Sequence, residues 1–297
     1  MRDGDSLFEC FEASRPRLKA AAYGFLGMLD EADEVLRAAH VRLARRDAGD
    51  IREPYDWLLA DVVRDCLARL RVREAHQMGR QSSWVPDPIV TRDDSESVEH
   101  GDRAPRPATL RQLVGLYRLN PGERVAFVLH ELLGEPVARI AAIAGMHAVA
   151  VEHFIERSHG RQFRWPAESD DLRSRRREFA DSFFQKWKAG QYSPIAAAFF
   201  FGAGMHIDLG PLLGRTVSLE STIKTFVTTG TSIADDGWAA HQVLVNGEPG
   251  FLVMDRFRTR YVVGLGFQDD SIRAVFVLGD LERIRRLDLP KVDELIS

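Results

Sequence analysis

Apolar residues recur every three or four positions through the first quarter of the chain. Leu7, Phe8, Phe11, Leu18, Ala22 and Phe25 form one such series, and Trp57, Leu58, Val62, Cys66 and Leu70 form another. That period belongs to amphipathic helices. Pro54 stands at the start of the second series, where a first helical turn has no use for the missing N–H. From Gln77 to Ala108 the period disappears and Ser, Asp, Pro and Gly take over, broken by one apolar island, "SSWVPDPIV". Polar stretches of this kind act as linkers. The island predicts that part of this linker docks on the C-terminal domain, because a Trp beside prolines has little reason to stay in water.

The helical period returns at Thr109. Asn120 reads as a helix cap with Pro121 at the first helical position, and Val125, Val128, Leu129 and Leu132 make the apolar stripe that follows. Ile140, Ala141 and Ile143 then predict a short helix closed by Gly145, and Val151, Phe154 and Ile155 the inner face of another. Two short helices across a tight Gly-containing turn form a helix-turn-helix. Beyond Ser169 the pattern changes. One charged helix, "LRSRRREFADSFFQKWKAG", precedes strand-like segments in which Asn246-Gly247 and Asp269-Asp270 are turn signals. Helices followed by an antiparallel meander indicate an α+β domain. The expected layout is multidomain: a helical domain over 1–76, a linker over 77–108, a helix-turn-helix domain over 109–165 and an α+β domain over 169–297.

Charge narrows the picture modestly. The 297 residues carry a net charge of −4, which argues against a protein that coats nucleic acid or anionic membrane over its whole surface. A local basic face remains compatible with it. Cys10 and Cys66 lie in helical patterns without ligand spacing and read as small core residues. No run of about 18 apolar residues and no secretory leader is visible, so a cytoplasmic protein without membrane contact is expected.

Candidate chemistry falls in three places. Arg64, Arg69, Arg71 and Arg73 gather toward the end of the helix that carries Trp57, a combination suited to single-stranded DNA, whose bases stack and whose backbone needs counter-charge. A solvated face paired with Asp61, Asp65 and Glu74 explains the same residues. On the second helix of the helix-turn-helix, Glu152 and Glu156 offset Arg157 and Arg161, leaving His153, Arg157 and Arg161 as candidate DNA contacts. "RSRRRE", from Arg173 to Glu178, is a basic patch that reads as a solvated face. In the α+β part, His206 and Asp208 stand two apart and so share one face of a strand. With His241 they offer acid–base groups for a metal-free cyclase or isomerase, should that face line a pocket with Trp238 or Tyr261. No metal-ligand spacing and no phosphate loop is present, and no cofactor is expected.

Taken together, these segments resemble an extracytoplasmic-function sigma factor of the subgroup with a SnoaL-like C-terminal domain. "FEASRPRLKAAAYGFLGMLDEADEVLRAAHVRL" and "IREPYDWLLADVVRDCLARLR" are similar to sigma region 2, and "LNPGERVAFVLHELLGEPVARIAAIAGMHAVAVEHFIERSHGR" to region 4. "SSWVPDPIV" resembles the linker signature Trp-Leu-Pro-Glu-Pro, through Trp84, Pro86 and Pro88, and "VNGEPGFLVM" a Val-Asn-Gly-Gln-Pro strand turn. The resemblance implies two all-α domains followed by an α+β SnoaL-like cone. It also implies a transcription initiation factor whose partners are the RNA polymerase core and promoter DNA, modulated in cis by the cone. Asp33, Glu34 and Arg37 fall at the polymerase-contacting positions, with Arg37 in place of the usual Gln. The cone keeps Asp208 and Gly210 of a usual Asp-Gly-Gly-Gly-Lys motif, and "LGDLERI" replaces the usual closing Asn-Pro-Asp-Lys-Leu. The alternative is a repurposed enzyme, with a small-molecule ligand in the cone pocket and the helical part as scaffold.

Overall fold

The structure, a computed structural model, describes residues 2–46, 51–77, 84–92, 107–160, 170–189, 191, 199–210, 215–217, 238–256, 258–268 and 271–291. The chain packs as two compact units. One comprises Met1–Arg80, Glu99–Ala108 and Gly115–Trp165, and the other Gln81–Val98, Thr109–Val114 and Pro166–Ser297. The two helical blocks read from the sequence thus share one unit. The apolar island and the residues from Thr109 to Val114 group with the C-terminal part.

The first unit is built from α1 (Arg2–Leu26), α2 (Leu29–Leu43), α3 (Pro54–Gln77), α5 (Pro121–Glu131), α6 (Val137–Ala144) and α7 (Ala148–Gly160), with the end of α4 (Leu110–Leu116). Most residues that set the helical period are buried, among them Leu18, Ala22 and Phe25 on α1, Leu58, Val62 and Cys66 on α3, and Val125, Val128 and Leu129 on α5, whereas Phe8 is exposed and Trp57 and Leu132 are half-buried. Burial pushes the Cys66 thiol far above its ordinary pKa, so it is an inert core residue. Asn120 caps α5 through a reciprocal box in which its side chain accepts from the Glu123 N–H and the Glu123 carboxylate accepts from the Asn120 N–H. Two arginine staples join the blocks. Arg17 on α1 donates to the Leu133 carbonyl and to Glu135, and Arg139 on α6 pairs with Glu135 and with Asp56 on α3. Both guanidinium groups lie 5.7 Å from the centre of the Tyr55 ring. Arg124, 6 % exposed, donates to the carbonyls of Phe25, Leu116, Tyr117 and Leu119. Burial, helped by the charge of Arg73, lowers its pKa to about 10.

The second unit is a seven-stranded sheet in the order β1-β4-β5-β6-β7-β2-β3. Its strands are β1 (Val90–Thr91), β2 (Phe199–Asp208), β3 (Arg215–Val217), β4 (Ala239–Val245), β5 (Glu248–Met254), β6 (Thr259–Gln268) and β7 (Ser271–Leu278). Among the described residues β2 and β7 run parallel and the other pairings are antiparallel. Asn246 and Gly247 turn β4 into β5 with positive φ angles of 52° and 78°, the geometry for which an Asn-Gly pair is suited. The other turn signal, Asp269-Asp270, lies outside the described residues. α8 (Asp170–Lys188) lays Phe183, Phe184 and Trp187 on one face of the sheet against Met205, Phe251, Val263, Leu265 and Val275. Phe184 stacks on Phe251 at 4.8 Å, a pair worth about 0.5–1.5 kcal/mol beyond its buried area. Within the basic patch of α8, Arg176 is buried against Glu248 rather than solvated.

The opposite face is closed by residues from the linker side. Leu110 lies so near Gly264 that an added Cβ would stand 2.7 Å from its Cδ1, and Val245 folds back over Gly250. At Gly250 a Cβ would stand 2.5 Å from the backbone carbonyl of Val263. Gly250→Ala is therefore expected to destabilise the full chain by about 1–3 kcal/mol, the usual cost of overpacking. An unchanged urea midpoint for this variant would contradict the close packing.

Candidate functional site

The arginine run on α3 divides by helical position. Arg64 and Arg71 face solvent, Arg64 with 74 % of its side chain exposed and touching Asp61 at 3.2 Å. Arg69 and Arg73 turn inward to α2. Arg69 pairs with Glu34 at 2.9 Å and with Asp65 at 3.1 Å, while Arg73 pairs with Glu31 and donates to the Leu26 carbonyl. Asp61 is nearly buried and is neutralised by Arg42 as well as by Arg64. The outward face of α3 therefore keeps Arg64 and Arg71 available for an external anion, whereas Arg69 and Arg73 hold two helices together. Trp57 is half-buried at the other end of α3.

The polymerase-contacting positions of the resemblance lie on α2. Asp33 pairs with Lys19 at 2.8 Å and Glu34 with Arg69, while Arg37 is exposed. Sequence reasoning missed that Glu34 and Glu31 are the partners of two candidate DNA contacts. Nothing local could have shown it, since those partners lie 35 and 42 residues away.

α6 and α7 meet at 112° around Gly145, which adopts the left-handed conformation. This is helix-turn-helix geometry. On α7 the residues Val149, Glu152, His153 and Glu156 are exposed, and Arg157 reaches back to the buried Glu123 at 3.2 Å. Arg161 lies outside the described residues. The exposed face of α7 thus carries Val149, Glu152, His153 and Glu156, together with Arg157, which is 45 % exposed and paired with Glu123.

The apolar island becomes part of the C-terminal sheet. β1 pairs with the edge strand β4, and Ile89 and Asn246 exchange hydrogen bonds, N–H to side-chain carbonyl and N–H to backbone carbonyl. Val85, Pro86 and Pro88 are buried and Trp84 is half-buried. Arg283, on α9 (Leu281–Ile284), clasps the island. It donates to Asp87 at 2.6 Å and to the Val85 carbonyl at 2.8 Å, and it also reaches Asp208 at 2.7 Å. Asp280 caps α9 through the N–H groups of Glu282 and Arg283. The segment that departs from the usual closing motif thus supplies the residue that holds the linker.

That clasp also removes the acid–base set. Met205 and Ile207 belong to the core against α8, so His206 and Asp208 point to the other face of the sheet. There His206 stacks on Phe276 at 5.1 Å and Asp208 is bound to Arg283. Trp238 and Tyr261, the expected pocket walls, pack on the α8 side. His241 sits on β4, four strand positions from β2, on the order of 19 Å away along the sheet. Burial, then the charge of Lys188, holds its pKa below the ordinary value. The three residues expected to act together as catalyst are not brought together. The reason is the phase of β2 relative to the core, which alternation alone leaves open. Among the described residues no cluster of His, Cys, Asp and Glu could hold a metal ion, and no single helix is long and apolar enough to cross a membrane.

No protein-family model matches the chain. Among curated proteins it is similar to the ECF RNA polymerase sigma factor SigJ of Mycobacterium tuberculosis, at 32% identity over 148 residues, covering 50% of this chain and 47% of that one. It is also similar to the probable ECF RNA polymerase sigma factor SigI of Mycobacterium tuberculosis, at 30% identity over 163 residues, 53% of this chain and 54% of that one. The match spans about half the length of these relatives. The crystal structure of SigJ superposes with a TM-score of 0.71 at 21% identity, covering 96% of this chain and 99% of that one. By sequence over about half its length, and by fold over nearly all of it, the chain resembles the extracytoplasmic-function sigma factors.

Proposed function

We propose that the chain is a sigma-type transcription initiation factor that binds the RNA polymerase core and promoter DNA in the cytoplasm. The observation that carries this reading is the sequence likeness to two sigma factors over about half the chain. In this reading the exposed face of α2 around Arg37 meets the polymerase, together with Asp33 and Glu34 at its edge. Arg64 and Arg71 on α3 neutralise the backbone of opened promoter strands, and Arg69 and Arg73 position α3 through α2. α7 supplies a weaker contact through His153, with Arg157 and Arg161 in support, because its exposed face carries little positive charge to anchor phosphates.

The C-terminal unit acts in cis through the linker, with Trp84, Pro86 and Pro88 as its docking segment. A role as a small-molecule enzyme finds no support, since α8 fills one sheet face with aromatic side chains and Arg283 occupies Asp208 on the other. The test is co-elution of the full chain with purified core polymerase, alongside a typical sigma factor and the Arg37→Glu variant. Co-elution that weakens on charge reversal is expected. Failure to co-elute under conditions in which the typical factor does would sink the reading.

A further inference from the structure

A cavity of about 400 Å³ opens in the helical unit, between the C-terminal end of α3 and the segment leading into α5. That volume falls in the range of small-ligand sites. Leu70, Leu119 and Tyr117 give it apolar and aromatic wall, and Arg73, Arg118 and Arg124 give it positive charge.

The acidic lining does not cancel that charge. Glu123 is already paired with Arg157, Arg73 is paired with Glu31, and Glu74 is exposed. Arg124 donates to the backbone carbonyls of Phe25, Leu116, Tyr117 and Leu119 and lies 5.2 Å from the centre of the Tyr117 ring. Arg118 is exposed and has no carboxylate partner among the described residues. Two guanidinium groups without a carboxylate hydrogen-bond partner among the described residues therefore border one cavity, with Glu74 at its exposed rim. The first turn of α5, already capped by Asn120 and Glu123, forms part of the same wall. A buried cation surrounded by neutral acceptors leaves a net positive field, and an unengaged guanidinium offers the paired donors that phosphate oxygens take.

We propose that this cavity binds a phosphoryl group, held by Arg118 in the field of Arg124, with the organic part of the ligand against Tyr117 and Leu70. The site adjoins the C-terminal end of α3 through Leu70, Arg73 and Glu74 and does not rest on the proposed promoter contacts of Arg64 and Arg71.

The test is calorimetric titration of the full chain with AMP and with inorganic pyrophosphate, using adenosine as the unphosphorylated control. Saturable binding of AMP and none of adenosine is expected. Arg118→Ala should weaken AMP binding by about tenfold or more, the usual effect of losing a charged hydrogen-bond donor. Arg45→Ala, outside the cavity, should leave it unchanged, and both variants should melt as the parent does, because both side chains are exposed. Competition by duplex DNA separates two sources of the same chemistry. Displacement of AMP by a duplex whose own affinity falls with Arg118→Ala assigns the phosphate to a nucleic-acid backbone, and no displacement assigns it to a free small molecule. Absence of binding by both AMP and pyrophosphate, or unaltered binding by Arg118→Ala, overturns the proposal.

Discussion

Arg283→Ala is expected to free the linker from the C-terminal sheet and to destabilise that unit by about 3–5 kcal/mol, the usual cost of removing one partner from a buried charge pair. The guanidinium is 15 % exposed, and its partners Asp87 and Asp208 are 7 % and 16 % exposed. Without it two carboxylates in a poorly hydrated site lose the cation that lies between them, and the Val85 carbonyl loses the Arg283 donor. Besides Arg283 the linker is held by a two-residue strand, the Ile89–Asn246 exchange and the burial of Val85, Pro86, Pro88 and Val90, and charge repulsion between the two carboxylates then works against that hold. Two measurements check this. The urea midpoint should fall, and trypsin should cut after Arg92, beside the end of β1, faster than in the parent. Adding Asp87→Asn and Asp208→Asn to the variant should recover part of the loss, because the repulsion is then gone. A midpoint and cleavage rate equal to the parent's would show that Arg283 is not the clasp. If the C-terminal unit acts through the linker, the same variant should also change transcription in a reconstituted system without altering polymerase affinity.

Arg64→Glu combined with Arg71→Glu should give the largest loss of promoter-fork binding among surface variants, on the order of tenfold or more, with the salt dependence shallower by about 1.4 units for two lost single-strand phosphate contacts. The structure makes these two the informative pair. Reversing Arg69 or Arg73 would instead place a second negative charge beside Glu34 or Glu31 and loosen α2 from α3, so lost binding could not be separated from lost packing. Arg157→Ala should behave differently again. It should cost little in DNA affinity and yet lower the stability of the helical unit, because the nearly buried Glu123 loses its cation. Fork titrations across a salt series, read beside thermal melts, separate the three effects. Equal loss of affinity from the Arg64/Arg71 pair and from Arg157 would contradict the view that α7 is the weaker contact.

Much of this protein is local in origin and was legible as such. The three-to-four-residue period marks the helices because each must bury one stripe, and most of the residues that carry that period on α1, α3 and α5 are buried. The Asn120 cap, the Gly145 stop and the Asn246-Gly247 turn each rest on the conformational preference of one or two residues. The apolar island announced its docking through composition alone.

Other features depended on partners distant in sequence. Whether Arg69 and Arg73 meet solvent or carboxylates is set by how α2 lies against α3. Arg283 finds Asp87 across 196 residues of chain. The catalytic reading of His206 and Asp208 depended on the same kind of choice. Strand alternation puts them on one face and Met205 and Ile207 on the other, but both faces of this sheet are covered. Alternation fixes which residues stand together, because each Cβ points opposite to the last. Only the packing of α8, whose Phe183, Phe184 and Trp187 need an apolar surface to cover, decided that Met205 and Ile207 face that core and that Asp208 is left to bind Arg283.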